Sequence, residues 1–247
     1  MRDKIYFASD FHLGSPSFET SRERENRIVR WLNFIEPDCS ELFLMGDVFD
    51  FWFEYKYVVP KGFTRLLGKL AQMSDSGIKI YFFKGNHDMW VKDYFTKELG
   101  MQIVSDEMII VRNGKKIYLH HGDGLGPGDA KYKFLRKIFR NPFCQWLFGM
   151  LPPRIGIGIA NKWSTHSRAA NHNDEVFLGE EKEWLAIYAK ELLQKEHYDY
   201  FVFGHRHLPL TIKLNEHSTY INIGEWLKYN SYAVFDGNDL TLTYFEK

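Results

Sequence analysis

Five times along this chain a short run of β-branched and aromatic residues stops at a polar cluster. IYFA runs into Ser9-Asp10, LFLM into Gly46-Asp47, IYFF towards Gly85-Asn86, IYL into His120-His121 and YFVF into Gly204-His205. Runs of this length and texture read as buried strands. Strands that all end this way deliver polar side chains to one edge of a sheet, and in open α/β sheets that edge is where ligands bind. Between them the apolar period changes from two to about 3.6. Ile28, Trp31, Leu32 and Ile35 mark one helix, and Leu66, Leu67, Leu70 and Met73 mark a second that Gly77 can cap. A third is expected from Glu180 to Glu196, with Trp184, Ile187, Tyr188 and Leu192 on one face. After Gly204 the segments TYINI, YAVF and LTLTYF, separated by turn residues, suggest a closing antiparallel meander. The expected fold is α/β, a layered αββα sandwich.

The length of 247 residues suits a single domain spanning 1–247 with one large insertion. The two cysteines, Cys39 and Cys144, have no CxxC spacing, which argues against a zinc knuckle, an iron–sulfur site or a disulfide scaffold and fits a reducing compartment. Met1 leads directly into a strand-like segment without an apolar leader, and no stretch reaches about 18 uninterrupted apolar residues. A cytosolic protein, or one lying on a cytosolic membrane face, is therefore expected.

The polar clusters carry the chemistry. They are S-D-F-H (Asp10, His12), G-D (Asp47), G-N-H-D (Asn86, His87, Asp88), H-H-G-D (His120, His121) and G-H-R-H (His205, His207). A lone histidine at a strand end is more often a hydrogen-bonded structural residue than a ligand. Five clusters in succession, each beside a glycine that lets the backbone turn tightly, point instead to bound metal. On an extended strand end, D-x-H and H-x-H would each send both side chains to the same side, because the strand period is two. Carboxylate, imidazole and amide donors without thiolate suit a hard or borderline divalent ion.

The order D-x-H, G-D, G-N-H-D, H-G-D, G-H-x-H resembles the calcineurin-like metallophosphoesterases over nearly the whole chain. The resemblance implies that Asp10, His12 and His207 bind one metal ion, that Asn86, His121 and His205 bind a second, and that Asp47 bridges them. It implies hydrolysis by water activated between the two cations. His87 would lie over the phosphate to stabilise or protonate the leaving oxygen, and Asp88 would orient its ring. His121 is the residue directly before Gly122-Asp123, so His120 is expected either to support the ligands from behind or to be structural.

Within that family the chain is similar to the UDP-2,3-diacylglucosamine hydrolases of lipid A synthesis. The carrying residues are S-D-F-H-L-G from Ser9, G-D-V-F-D-F-W from Gly46, D-S-G-I from Asp75, E-L-G-M from Glu98 and H-G-D-G from His121. Further along come D-A-x-Y with Asp129 and Tyr132, S-R-A-A-N from Ser167 to Asn171, and I-G-E-W from Ile223. These hydrolases are peripheral membrane enzymes that split the pyrophosphate to UMP and the acylated glucosamine 1-phosphate, typically with manganese. The resemblance extends substrate contacts to Asn86, His87, Asp129, Tyr132, Ser167, Arg168, Asn171 and His205. One position departs, since the best-known members carry Arg where this chain has His87.

The stretch from about 130 to 173 breaks the sandwich rhythm. Phe134, Leu135, Ile138, Phe139, Phe143, Trp146, Leu147, Phe148 and Leu151 are interleaved with eight Lys and Arg residues between Lys131 and Arg168, without one acid. Interrupted by Pro142 and Pro152-Pro153, it reads as two or three amphipathic helices forming a lid. Such a lid offers a diacylated nucleotide sugar both an apolar groove, at about 0.8 kcal/mol per buried methylene, and cations for its pyrophosphate. It also offers an anionic membrane surface a place to rest. No nucleic-acid partner is expected. A helical hairpin packed on the sandwich accounts for the same residues, and a soluble phosphodiesterase or nucleotide or sugar phosphatase accounts for the same metal motifs. A non-catalytic metal-dependent scaffold would not need the His87-Asp88 pair.

Overall fold

Side-chain alternation in the first strand sets the layers. In β1 (Lys4–Ala8), Ile5 and Phe7 enter one buried core while Tyr6 and Ala8 enter another, so the sheet is covered on both faces. The computed structural model describes residues 2–126, 130–170 and 176–246. β1, β2 (Cys39–Leu44), β3 (Lys79–Phe83) and β4 (Gln102–Val104) run parallel in one sheet, which β10 (Ser231–Phe235) and β11 (Leu240–Tyr244) extend antiparallel beyond β1. The second sheet has the order β5 (Met108–Arg112), β6 (Lys115–His120), β7 (Tyr200–Phe203), β9 (Thr219–Ile223), β8 (Pro209–Lys213). Its three central strands β6, β7 and β9 are parallel.

Between the sheets Ile5, Phe7, Phe43, Met45, Tyr81 and Phe83 meet Ile117, Leu119, Val202, Ile221 and Ile223. The outer face of the first sheet is covered by α1 (Phe18–Ile35), α2 (Thr64–Asp75) and α3 (Tyr94–Leu99), through Ile28, Trp31, Leu32, Ile35, Leu66, Leu70, Met73, Phe95 and Leu99. The helical periodicity expected for α1 and α2 is thus the buried stripe. Burying each of these side chains contributes about 1.5–3 kcal/mol. The α2 N-terminus has no side-chain cap of its own, and Glu25 of α1 supplies one by accepting from the amides of Arg65 (2.9 Å) and Leu66 (3.1 Å). On the outer face of the second sheet lies α7 (Trp184–Leu193). The layers are αββα, as expected.

Two elements differ from the sequence reading. TYINI is not part of a meander. It is β9, entirely buried and paired in parallel with β7, while YAVF and LTLTYF belong to the other sheet. A strand buried on both faces belongs in the middle of a covered sheet, and the turn residues alone could not reveal that. The helix expected from Glu180 begins as a short 3-10 turn at Glu180–Lys182. The fully buried residues of α7 are Leu185, Ala186 and Ala189, with Trp184, Tyr188 and Leu192 at their margin. The two alanines let this helix approach the sheet closely.

Between β6 and β7 come three further helices, α4 (Ala130–Arg140), α5 (Pro142–Gly149) and α6 (Pro153–Ala170). Asn141 caps α5 by accepting from the amides of Phe143 and Cys144, with Pro142 in the first turn where a missing N–H costs nothing. None of their described residues belongs to the three cores. Phe148 packs at 4.9 Å on Phe53 and 4.5 Å on Trp90, whose Nε1–H donates to the Phe139 carbonyl. Phe134, Phe143, Trp146, Leu147, Met150, Ile155 and Ile159 are exposed. The basic residues divide in two groups. Arg136 pairs with buried Asp123 at 2.6 Å and with Asp106, Arg140 pairs with Asp106, and Lys133 donates to the Gly126 carbonyl. Lys137, Arg154 and Lys162 lie exposed.

Candidate metal centre

Loops from the ends of five strands bring the polar clusters together. Asp10 and His12 follow β1, Asp47 follows β2, Asn86 follows β3, His121 follows β6, and His205 and His207 follow β7. Ligand atoms of Asp10, His12 and His207 lie within 4.8 Å of one another, and so do those of Asp47, His121 and His205. Asp47 links the groups, its Oδ2 standing 3.8 Å from His12 Nε2 and 3.5 Å from His121 Nε2. The Asn86 carbonyl oxygen lies 3.1 Å from His121 Nε2. All seven expected ligands therefore share one site.

Extended strand ends do not produce this convergence, contrary to the period-two reading. Asp10, His12, Asp47, His205 and His207 all have left-handed backbone, with φ of 56°, 44°, 52°, 67° and 52°. For residues other than glycine this region is sparsely populated and costs about 1–3 kcal/mol at each position. The strands stop at Ala8, Leu44 and Phe203, and each chain kinks inward at the residue bearing the ligand. The glycines serve both turning and closeness, with φ of 94° at Gly46 and 123° at Gly122. A Cβ on Gly85 would meet Asp47 Oδ1 at 2.2 Å, and one on Gly46 would meet His121 Nδ1 at 2.6 Å.

The polar atoms fit divalent cations. Asp10 Oδ1 is buried and has no hydrogen-bond donor among the described residues, His207 Nε2 stands 3.2 Å from it, and the Nε2 atoms of His12 and His207 face each other at 3.0 Å. Two imidazole lone pairs turned towards one point, beside a carboxylate oxygen, make a cation seat. Electrostatics point the same way. Burial opposes charge on Asp10 and Asp47, yet the surrounding histidines hold both carboxyls well below the usual carboxylate range. Burial likewise opposes charge on His12 and His121, yet the neighbouring carboxylates push both up to about 10. Burial and His121 bring His205 down to about 4. Binding a divalent cation requires neutral imidazole at these positions, so a metal and protons would compete for the same nitrogens.

His87 lies beside this cluster, its ring edge-on to His12 with centroids 4.9 Å apart, and burial lowers its pKa. Its ligand atoms also fall within 4.8 Å of those of His12 and Asp47. Asp88 does not orient that ring. Its buried carboxylate accepts from the amides of Val48 (2.8 Å), Gly85 (2.8 Å), Asp47 (3.3 Å) and Phe49 (3.3 Å), so it fastens the two ligand loops after β2 and β3 to each other. The His87 ring meets Asp50 and Ser164 instead, neither of which the sequence reading had singled out. The G-D-V-F-D spacing hinted at Asp50, whereas nothing local marked Ser164. His120 takes the structural role of the two expected, its Nδ1 accepting from the Gly122 amide at 2.7 Å.

Tyr132 of α4 donates its hydroxyl to Asp123 at 2.8 Å and stands beside His205, with ring centroids 6.5 Å apart. Ser167 and Arg168 belong to α6, but their side chains lie outside the described residues, as do Asp129 and Asn171 altogether.

Known proteins resemble this chain in sequence. The profile of calcineurin-like phosphoesterases matches residues 3–209. The chain is 40% identical to a UDP-2,3-diacylglucosamine hydrolase of Porphyromonas gingivalis, over 100% of this chain and 99% of that one. It is 30% identical to a protein of the same name from Haemophilus influenzae, covering 90% of each. A third of that name, from Histophilus somni, is 27% identical over 90% of this chain and 92% of its own. With strand-end carboxylates and imidazoles converging in the order that the motifs require, the chain belongs to the calcineurin-like phosphoesterase family.

Proposed function

We propose that the chain hydrolyses the pyrophosphate of UDP-2,3-diacylglucosamine, adding water across the P–O–P bridge to release UMP and 2,3-diacylglucosamine 1-phosphate. The observation that carries this reading is the 40% identity, across the whole chain, to a hydrolase named for that substrate. Its cofactor is a pair of divalent cations; the thiolate-free donor set suits manganese, iron or zinc, and the resemblance to these hydrolases favours manganese. When bound, two such ions supply Lewis acidity that activates water and offsets charge on the phosphoryl oxygens. Asp10, His12 and His207 hold one, Asn86, His121 and His205 hold the other, and Asp47 serves both. His87 meets the leaving oxygen.

The chain acts as one catalytic domain whose residues 130–173 form a lid. Tyr132 beside His205 and Ser164 beside His87 support this, because α4 reaches an expected metal ligand and α6 reaches the expected leaving-group residue. Asn86, His87, Tyr132 and His205, together with Asp129, Ser167, Arg168 and Asn171, contact the nucleotide sugar. The exposed Phe143, Trp146 and Met150, without neighbouring acids on these helices, suit acyl chains and an anionic surface at the cytoplasmic face of the inner membrane. No helix among the described residues is long and apolar enough to cross a membrane, so contact would be peripheral.

Purified protein supplied with manganese and UDP-2,3-diacylglucosamine should release UMP, scored by mass spectrometry. An intact lipid substrate alongside efficient cleavage of a soluble nucleotide or sugar phosphate would replace this reading with that of a soluble phosphatase. His87→Ala should retain both metals while turnover drops about 100-fold, the usual worth of a proton donor at the reacting group. Metal content counts against the assignment if it falls with the rate, because His87 would then be a ligand beside His12 and Asp47.

A further inference from the structure

Asp50 lies in the loop after β2, is 7% exposed, and faces three partners. Its Oδ2 accepts the Ser164 hydroxyl proton at 2.8 Å, its Oδ1 stands 3.5 Å from His12 Nδ1, and its main-chain carbonyl lies 3.1 Å from His87 Nδ1. Ser164, on α6 and 4% exposed, places its Oγ 3.2 Å from the same His87 nitrogen. Chemistry narrows the proton placement. A carbonyl can only accept, so His87 carries its proton on Nδ1. Ser164 donates its hydroxyl hydrogen to Asp50, so towards His87 its oxygen acts as an acceptor of that same N–H. The Asp50 carboxylate also faces Nδ1 of His12, whose ring turns Nε2 towards Asp10, Asp47 and His207.

We infer that Asp50 and Ser164 are positioning residues that clasp α6 to the metal centre and fix the ring of His87 in its Nδ1–H form. Asp50 reaches two histidines at once, one through its side chain and one through its backbone. Ser164 makes the second of these contacts depend on the seating of a helix that lies 77 residues further along the chain. The excursion of α4 to α6 is then part of the catalytic apparatus and not only a surface for substrate. The inference rests on the proposed role of His87 at the leaving oxygen.

The test uses the full chain loaded with diamagnetic zinc and labelled with ¹⁵N-histidine, with the His87 signals assigned by their loss in His87→Ala. Wild type should show His87 in the Nδ1–H form, and Ser164→Ala should shift it towards the other tautomer. In the manganese-loaded enzyme the same variant should lower kcat about 10-fold with KM and metal content unchanged. Ser164→Thr, which keeps the hydroxyl, should restore both the spectrum and most of the rate. In a His87→Ala background, Ser164→Ala should cost nothing further. The clasp is overturned if wild-type His87 carries its proton on Nε2, or if Ser164→Ala slows the His87→Ala enzyme as much as it slows wild type. A fully active His87→Ala would instead remove the catalytic reading of that residue, and the spectra of wild type and Ser164→Ala would still decide the clasp.

Discussion

Asp47→Asn should strip the protein of both metals and abolish turnover while the polypeptide stays folded. The two carboxylate oxygens of Asp47 do different work. Oδ2 stands between His12 and His121, and Oδ1 accepts from the His87 amide at 2.8 Å. Asparagine keeps the shape and tolerates the left-handed backbone that this position requires, but it removes the one negative charge that faces both clusters. Deleting a member of a buried charge constellation costs about 3–5 kcal/mol, which is roughly two to four decades of affinity. Elemental analysis should find little metal after gel filtration, and UMP release should fall below detection with manganese supplied at wild-type levels. The metal-free variant should melt no lower than metal-free wild type. Metal content and rate equal to wild type would refute the ligand assignment.

Replacing both Phe143 and Trp146 with Gln should reduce hydrolysis of the diacylated substrate about 1,000-fold and leave a small diester such as bis-p-nitrophenyl phosphate within about twofold, provided wild type cleaves it. These rings are 63% and 58% exposed and stack on each other at 5.7 Å, on a helix with no buried residue, so stability should barely change. Two aromatic side chains that bury themselves against acyl chains contribute about 4 kcal/mol, which sets the size of the expected loss. Phe148 must stay, because its ring packs between Phe53 and Trp90 and holds α5 in place. The charge counterpart likewise belongs on exposed residues. Lys137, Arg154 and Lys162 changed to Glu should each weaken binding to anionic vesicles by about 1 kcal/mol or more at low salt. Arg136 and Arg140 would mislead, since their partners Asp106 and Asp123 make them structural. A parallel loss of both activities together with thermal stability would mark the helices as mere packing.

The fold was legible in the sequence because burial leaves a periodic trace. Ile28, Trp31, Leu32 and Ile35 line α1, and the alternation in IYFA divides two cores, so layers could be read without coordinates. The candidate metal residues were legible for a different reason. Imidazole and carboxylate donors have few substitutes, and their spacing survives as motif. What escaped the sequence were relations between distant segments. The partner sheet of TYINI depends on which strand it meets, and the role of Asp88 depends on amides from a loop 39 to 41 residues away. Ser164 reaches Asp50 across 114 residues. Even the convergence of D-x-H was anticipated on the wrong backbone geometry, because left-handed residues leave no compositional mark unless they are glycine.

That geometry also limits how such a centre can be redesigned. At Asp10, His12, Asp47, His205 and His207 the main chain itself selects residues that tolerate φ near +44° to +67°, a set in which Asn, Asp, His and Gly predominate. A designer seeking a softer metal might place cysteine at one of these five corners. Backbone strain would compete with the coordination gained before any question of metal preference arose. The usable ligand alphabet at these corners is therefore shorter than coordination chemistry alone would allow, and changes of metal should be easier to engineer at Asn86 or His121, which have no such kink.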